Sequence, residues 1–132
     1  WGVLMRRDAP LAKKEAIGPK DLWDKPLILS RQHRAGSALS LWLKREEADL
    51  NIVATYSLLY NGSILVDEGL GYAITLDKII NTQGGNLCFR PLIPTLQAGL
   101  CVVWKKYQVL TKASELFLNT LQSNLETAES EA

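Results

Sequence analysis

The chain has 132 residues, 47% of them hydrophobic and 22% charged, with a formal net charge of +1. That size and apolar content allow one domain with a buried core, and the near-neutral balance excludes the broad basic field of a nucleic-acid-coating protein, the locally basic stretch Trp1 to Arg34 notwithstanding. No apolar run approaches the roughly 18 residues of a membrane span, and Cys88 and Cys101 are too few for a disulfide framework, which points to a reducing cytoplasm.

The first expected element is a short strand, Val3-Leu4-Met5, ended by Arg6-Arg7-Asp8 and broken at Ala9-Pro10. Pro19 at a first helical position opens a short helix through Leu22 and Trp23, and Pro26 then introduces the strand Leu27-Ile28-Leu29. Ser30, Arg31, Gln32, His33 and Arg34 follow its carboxyl end. A second helix is expected from about Ser37, with Ala38, Leu41, Trp42 and Arg45 spaced for one face. From Asn51 to Asp77 the pattern is strand, helix, strand: Ile52-Val53-Ala54 runs into Thr55-Tyr56-Ser57, and Leu58, Leu59, Gly62, Leu65 and Val66 share a helical face. Gly69 supplies a left-handed stop, Gly71 lets the next strand come in closely, and Tyr72-Ala73-Ile74 form that strand.

A polar loop (Asn81, Gln83, Gly84, Gly85) precedes two more expected strands, Leu87 to Ile93 and Leu100 to Trp104, joined by a turn at Pro94. So short a link predicts antiparallel neighbours. Thr111 caps a last helix with Leu116, Phe117, Leu121 and Leu125 on one stripe, and the acidic end from Glu126 to Ala132 is expected to fray. The chain opens on Trp1 rather than Met, so the start of the protein, with or without a removed leader, is expected upstream. A first strand and a last helix short of partners predict self-association.

Strands alternating with helices make an open α/β sheet, in which ligands sit beyond the carboxyl ends of the strands. Thr55 and Ser57 stand at such an end, at a helix start, where hydroxyls and free N–H groups suit an anion; helix capping is the plainer alternative. Arg31, at the neighbouring strand end, has the fork geometry for a carboxylate, or is a solvated loop arginine, and Arg34 is read as solvated. His33, the only histidine, has no paired-ligand spacing and is read as a polar loop residue rather than a zinc ligand. Gly69-Leu70-Gly71 follows a helix and lacks a third glycine at Ile74, which rejects dinucleotide binding. With no G-x-S-x-G and no marked carboxylate pair, catalysis has no residues to stand on, and no cofactor is implied. Cys88 and Cys101, on adjacent expected strands, are either a facing redox pair or two buried apolar residues.

Three segments carry a resemblance: VLMRRDAPLAKKEAIGPKDLWDKPLIL, LNIVATYSLLYNGSILVDEGLGYAIT and LCFRPLIPTLQAGLCVVWKKYQVLTKASELFLNTL. In this order and spacing the chain resembles the C-terminal half of the effector-binding domain of a LysR-type transcriptional regulator. The resemblance implies a type 2 periplasmic-binding-protein-like fold, an α/β lobe with a mixed sheet and flanking helices, as a fragment of a two-lobed domain. Residues 8–95 would be the second lobe, 1–7 and 99–106 the crossing strands, and 111–125 a helix of the first lobe. The DNA-binding domain would be absent.

The turn Thr55-Tyr56-Ser57 resembles a Thr-x-Thr turn whose hydroxyls contact the effector in sulfur-responsive relatives, with Ser57 a conservative departure. It implies an effector site at Thr55, Tyr56 and Ser57, to which Ser30 and Arg31 are added from the neighbouring strand end, where family members vary most. Leu76-Asp77 stands where the family usually has a proline, so the loop there departs from the pattern. The family also pairs effector domains side by side through the helix after Thr55-Tyr56-Ser57. Leu59 and Ile64, away from the Leu58, Leu65 stripe, would give that helix a second apolar side, unless both sides are covered within one lobe. The function implied is effector sensing in a cytoplasmic, oligomeric transcription factor, not an enzyme. Its partners would be a small, anionic effector and further copies of itself, with DNA reached only through the absent domain. A transporter's solute-binding lobe is the alternative.

Overall fold

The computed structural model describes residues 1–33, 36–99 and 101–130, the side chains of 126–130 excepted. Arg34 and Leu100 lie outside the described residues. The chain divides into two compact units, Trp1–Gly99 and Leu100–Ala132.

The first unit holds a five-stranded mixed sheet of β1 (Gly2–Arg6), β2 (Leu27–Ser30), β3 (Ile52–Tyr56), β4 (Tyr72–Thr75) and β5 (Leu87–Pro91), in the order β3-β2-β4-β1-β5. β2 is parallel to both β3 and β4, whereas β1 runs antiparallel to β4 and β5. Helix α1 (Ala38–Leu43) connects β2 to β3, and α2 (Leu59–Asp67) carries the chain from β3 across to β4 on the other side of β2.

Alternation along the strands sorts the core into two layers, because neighbouring side chains point to opposite faces. Val3, Met5, Leu27, Leu29 and Ile74 pack with Leu39, Trp42 and Leu43 of α1 and with Leu11, Ile17 and Leu22. Leu4, Ile28 and Ala73 face the other way, against Leu59 and Val66 of α2 and the ring of Tyr56. Both layers form because the run Leu27-Ile28-Leu29 is apolar on each side, the pattern of a strand covered on both faces. The indoles at the α1 layer, Trp42 buried and Trp23 half-buried, are satisfied: Trp42 Nε1–H donates to Pro94 O at 2.7 Å and Trp23 Nε1–H to Leu43 O at 2.8 Å.

Several expected elements differ in detail. The helix at Pro19 is a single 3₁₀ turn, Pro19–Asp21. In α1 the buried residues are Leu39, Trp42 and Leu43, while Leu41 is exposed and the Arg45 guanidinium stacks 4.4 Å from the Trp23 ring. Six residues are too few for the expected stripe, and the indole of Trp42 sets the rotation. In α2 the buried face is Leu59, Gly62, Ser63 and Val66; Leu58 precedes the helix and is exposed, as is Ile64. The second apolar side of α2 is therefore Ile64 without Leu59.

β5 finds its antiparallel neighbour in β1, in the register Met5↔Cys88, and residues 101–104 form no strand. A strand needs a neighbour for its N–H and C=O groups, and among the described residues none pairs with 101–104. Cys88 is buried and Cys101 exposed, both as free thiols, so the two cysteines are neither ladder neighbours nor alike. In the second unit Thr111 Oγ1 accepts the Ser114 N–H at 3.2 Å and caps α3 (Lys112–Ser130), whose Leu116, Phe117 and Leu125 are exposed.

Gly71 sits where β4 meets the segment before β2: the Tyr72 N–H donates to Pro26 O at 2.9 Å, and a Cβ at residue 71 would lie 2.3 Å from that oxygen. Gly69 has φ +81° but open space around it. Gly71→Ala is expected to cost about 1–3 kcal/mol by overpacking backbone against backbone, and Gly69→Ala about 1–2 kcal/mol from its left-handed backbone alone. Urea denaturation of both variants checks this; no loss for Gly71→Ala would show that the strand shifts freely.

Candidate effector site

Parallel strands β2, β3 and β4 end together, and the antiparallel β1 begins beside them, in the register Gly2↔Thr75. This edge therefore gathers Ser30, Tyr56, Thr75 and the start of the chain. Register brings Ser30 opposite Tyr56, and the Arg31 N–H donates to Tyr56 O at 2.9 Å, which ties the two polar strand ends together.

Of the expected site residues, Thr55, Ser57 and Arg31 are exposed, and their side chains make no hydrogen bond or ion pair among the described residues. The capping alternative fails: the residue before α2 is Leu58, and no side chain caps that helix. α2 therefore begins with its first N–H groups, at Leu59 and Tyr60, ahead of the first intrahelical bond. Two hydroxyls, two amides and a guanidinium are left uncommitted at one edge.

Tyr56 is turned away from that edge. Strand alternation buries its ring, where Gly62 of α2 leaves the room: a Cβ at 62 would come 3.0 Å from the ring. The Tyr56 hydroxyl donates to Ile74 O at 3.0 Å, reaching from β3 to β4 beneath α2. Burial holds the phenol above the usual tyrosine range, with the Thr75 hydroxyl opposing that shift. The Tyr56 side chain, expected at the effector contact, lies instead in the core beneath α2.

Ser30 shapes the turn after β2. Its carbonyl accepts the His33 N–H at 2.9 Å and its hydroxyl accepts the Gln32 N–H at 3.2 Å, which folds the chain tightly over Arg31 and Gln32. Beside this turn is a cavity of about 230 Å³ lined by Trp1, Ser30, Gln32, His33, Ser37, Ala38, Leu39 and Ile74. Thr55, Ser57 and Arg31 are outside its lining. Gln32, His33 and Ser37 line this cavity and are not among the expected site residues. Their one sequence signal is position, directly after the strand that proves central among the parallel three. No group of three potential metal ligands occurs among the described residues.

Residues 1–126 match the family model described as the LysR substrate binding domain, so the chain belongs to that family. It is a family of regulatory domains that sense small-molecule effectors. The solved structure of HinK, a LysR family transcriptional regulator from Pseudomonas aeruginosa, is 22% identical, with a TM-score of 0.65 over 94% of this chain and 44% of HinK. A second LysR family regulator from Pseudomonas aeruginosa is 21% identical, with a TM-score of 0.67 over 94% of this chain and 44% of that one. The regulatory domain of Synechocystis CcmR, in complex with 2-PG, is 18% identical, with a TM-score of 0.61 over 92% of this chain and 61% of that one. At these identities the likeness is one of fold, and the chain spans less than half the length of the two Pseudomonas regulators. No curated protein matches the sequence.

Tyr56→Phe is expected to lower stability by about 1–3 kcal/mol, since the Ile74 carbonyl loses a buried partner. Because the folded state holds the Tyr56 phenol above its ordinary value of 10.0, this residue's contribution is present below that pH and is lost as pH rises past it. Denaturation midpoints from neutral to strongly alkaline pH should therefore fall more steeply for wild type than for Tyr56→Phe. Parallel curves would contradict the buried phenol.

Proposed function

We propose that this chain is the C-terminal part of the effector-sensing domain of a LysR-type transcription factor, and that its sheet edge forms one wall of the effector cleft. Residues 8–95 are assigned to the second lobe, 1–7 and 99–106 to the crossings, and 111–125 to a helix of the first lobe. The effector is a small anion taken by the hydroxyls of Thr55 and Ser57, with Ser30 and Arg31 beside them. The observation that supports this most is the set of uncommitted donors at that edge, two hydroxyls and a guanidinium, with no internal partner among the described residues.

Such an effector acts through its differential affinity for two arrangements of the whole regulator. DNA contact belongs to a part of the protein outside these residues, which carry a net charge of only +1. Self-association through the exposed side of α2, at Ile64 and Tyr60, accords with the family's oligomers. Among the described residues no helix is long and apolar enough to cross a membrane.

The test is a thermal-shift screen of the intact regulator against sulfate, phosphate and small carboxylates, followed by calorimetric titration of the anion that stabilises it. Two lost hydrogen bonds, at least one to a charged group, should weaken binding by about tenfold or more in the Thr55→Val, Ser57→Gly double variant. Since neither hydroxyl caps α2, the variant should melt like wild type. Normal melting with undiminished affinity would move the anion site elsewhere.

A further inference from the structure

We infer that His33 is the donor with which this lobe reads an uncharged oxygen on its effector, and that Ser37 holds the imidazole in the tautomer that does so. The inference rests on the effector-site reading under Proposed function and adds a ligand class to it. Its geometry begins at the turn after β2, where the hydrogen bond from the His33 N–H to Ser30 O folds the chain back and sets His33 in the wall of the 230 Å³ cavity. Ser37 is in the same wall, with its Oγ 3.4 Å from His33 Nδ1.

The Ser37 oxygen already accepts the Ser40 N–H, at 3.3 Å, as the cap of α1. A hydroxyl has one proton to give. If Nδ1 carried the ring proton, Ser37 would accept twice and its own hydrogen would have no partner among the described residues. If Ser37 donates to Nδ1, the hydroxyl and Nδ1 satisfy each other and the ring proton sits on Nε2. The hydrogen bond at one ring nitrogen thus decides what the other offers, and Nε2–H is left to donate to an acceptor outside this pair.

The lining decides which acceptor. Trp1, Leu39 and Ile74 supply apolar wall, the polar groups are Ser30, Gln32, His33 and Ser37, and among the described residues none of the lining side chains is a lysine, arginine, aspartate or glutamate. A carboxylate entering such a space would lose its water with no cationic side chain among the described lining to replace it, whereas a carbonyl or hydroxyl needs only a donor. The guanidinium of Arg31 lies outside the lining, one residue from Ser30, and is free of internal partners among the described residues. This division describes a small acid with two different ends. Its charge stays at the Thr55, Ser57 and Arg31 edge; its apolar body, bearing one uncharged oxygen, enters the cavity.

Two measurements test this. In the 132-residue chain His33 is the sole histidine, so nitrogen NMR shifts of one labelled imidazole report its tautomer at mildly alkaline pH. Nε2–H is expected in wild type, and a dominant Nδ1–H form would overturn the proposal. Ser37→Asp still caps α1 but can only accept, so it should move the proton to Nδ1; an unchanged tautomer would remove Ser37 from its positioning role.

The second measurement titrates the intact regulator with acid pairs that differ by one uncharged oxygen, benzoate with para-hydroxybenzoate and valerate with levulinate. In at least one pair the oxygenated acid should bind about three- to tenfold more tightly, the worth of one hydrogen bond. His33→Phe should erase that ratio, and His33→Gln, which keeps an N–H donor, should retain part of it. No preference in wild type, a ratio untouched in His33→Phe, or no binding of any of these acids at millimolar concentration would overturn the assignment. Thr55→Val with Ser57→Gly should weaken both members of a pair alike. If it does not while His33→Phe still erases the ratio, the anion site fails and the His33 assignment stands.

Discussion

Everything in the first unit depends on burying both faces of β2. Leu27, Ile28 and Leu29 are each almost wholly removed from water, and three such side chains contribute about 1.5–3 kcal/mol apiece when fully buried. No single helix can cover two faces, so the chain must place α1 over one and α2 over the other. That demand puts β3 and β4 on opposite sides of β2, and it opens a crevice where their connections leave in different directions.

The polar edge follows from the same arrangement. Strand interiors are committed to the two apolar layers, and the uncommitted side chains collect where the strands end. Thr55 and Ser57 are separated by Tyr56, and strand alternation sends that ring inward while leaving its neighbours outside. The phenol then anchors across β2 to the Ile74 carbonyl, and Gly62 lets α2 lie on the ring. A rigid support thus lies under the exposed hydroxyls, so the edge keeps its geometry without using the groups that would meet a ligand.

Two kinds of chemistry meet at that edge. The β3 end and Arg31 offer charge and hydroxyls in the open, while the turn after β2 and the cap of α1 build a neutral, partly apolar recess. Ser30 joins them, since its carbonyl and hydroxyl fold the turn that carries His33 and its register partner is Tyr56. One serine therefore contributes to both halves, through its carbonyl and hydroxyl in one and its strand position in the other.

How much of this was legible in the chain of letters depends on range. Leu27-Ile28-Leu29 after Pro26, the hydroxyl turn before Leu59, and the stop at Gly69 with the close approach at Gly71 are local patterns, and each of these elements forms where the letters place it. The junctions around them were less legible: which residues of α1 turn inward depends on where Trp42 finds an acceptor, at Pro94, 52 positions away. Pairing was harder still. Leu87 to Ile93 reads as a strand, but nothing nearby says that its neighbour is β1 at the other end of the unit rather than residues 101–104. The site divides in the same way. Thr55, Ser57 and Arg31 could be named from strand ends alone, because exposure there follows from alternation and position. That the Tyr56 ring lies under α2, and that His33 and Ser37 share a cavity wall, only the tertiary structure decides, because burial under α2 and a turn that folds back on a cavity wall arise from packing between segments that are distant in sequence.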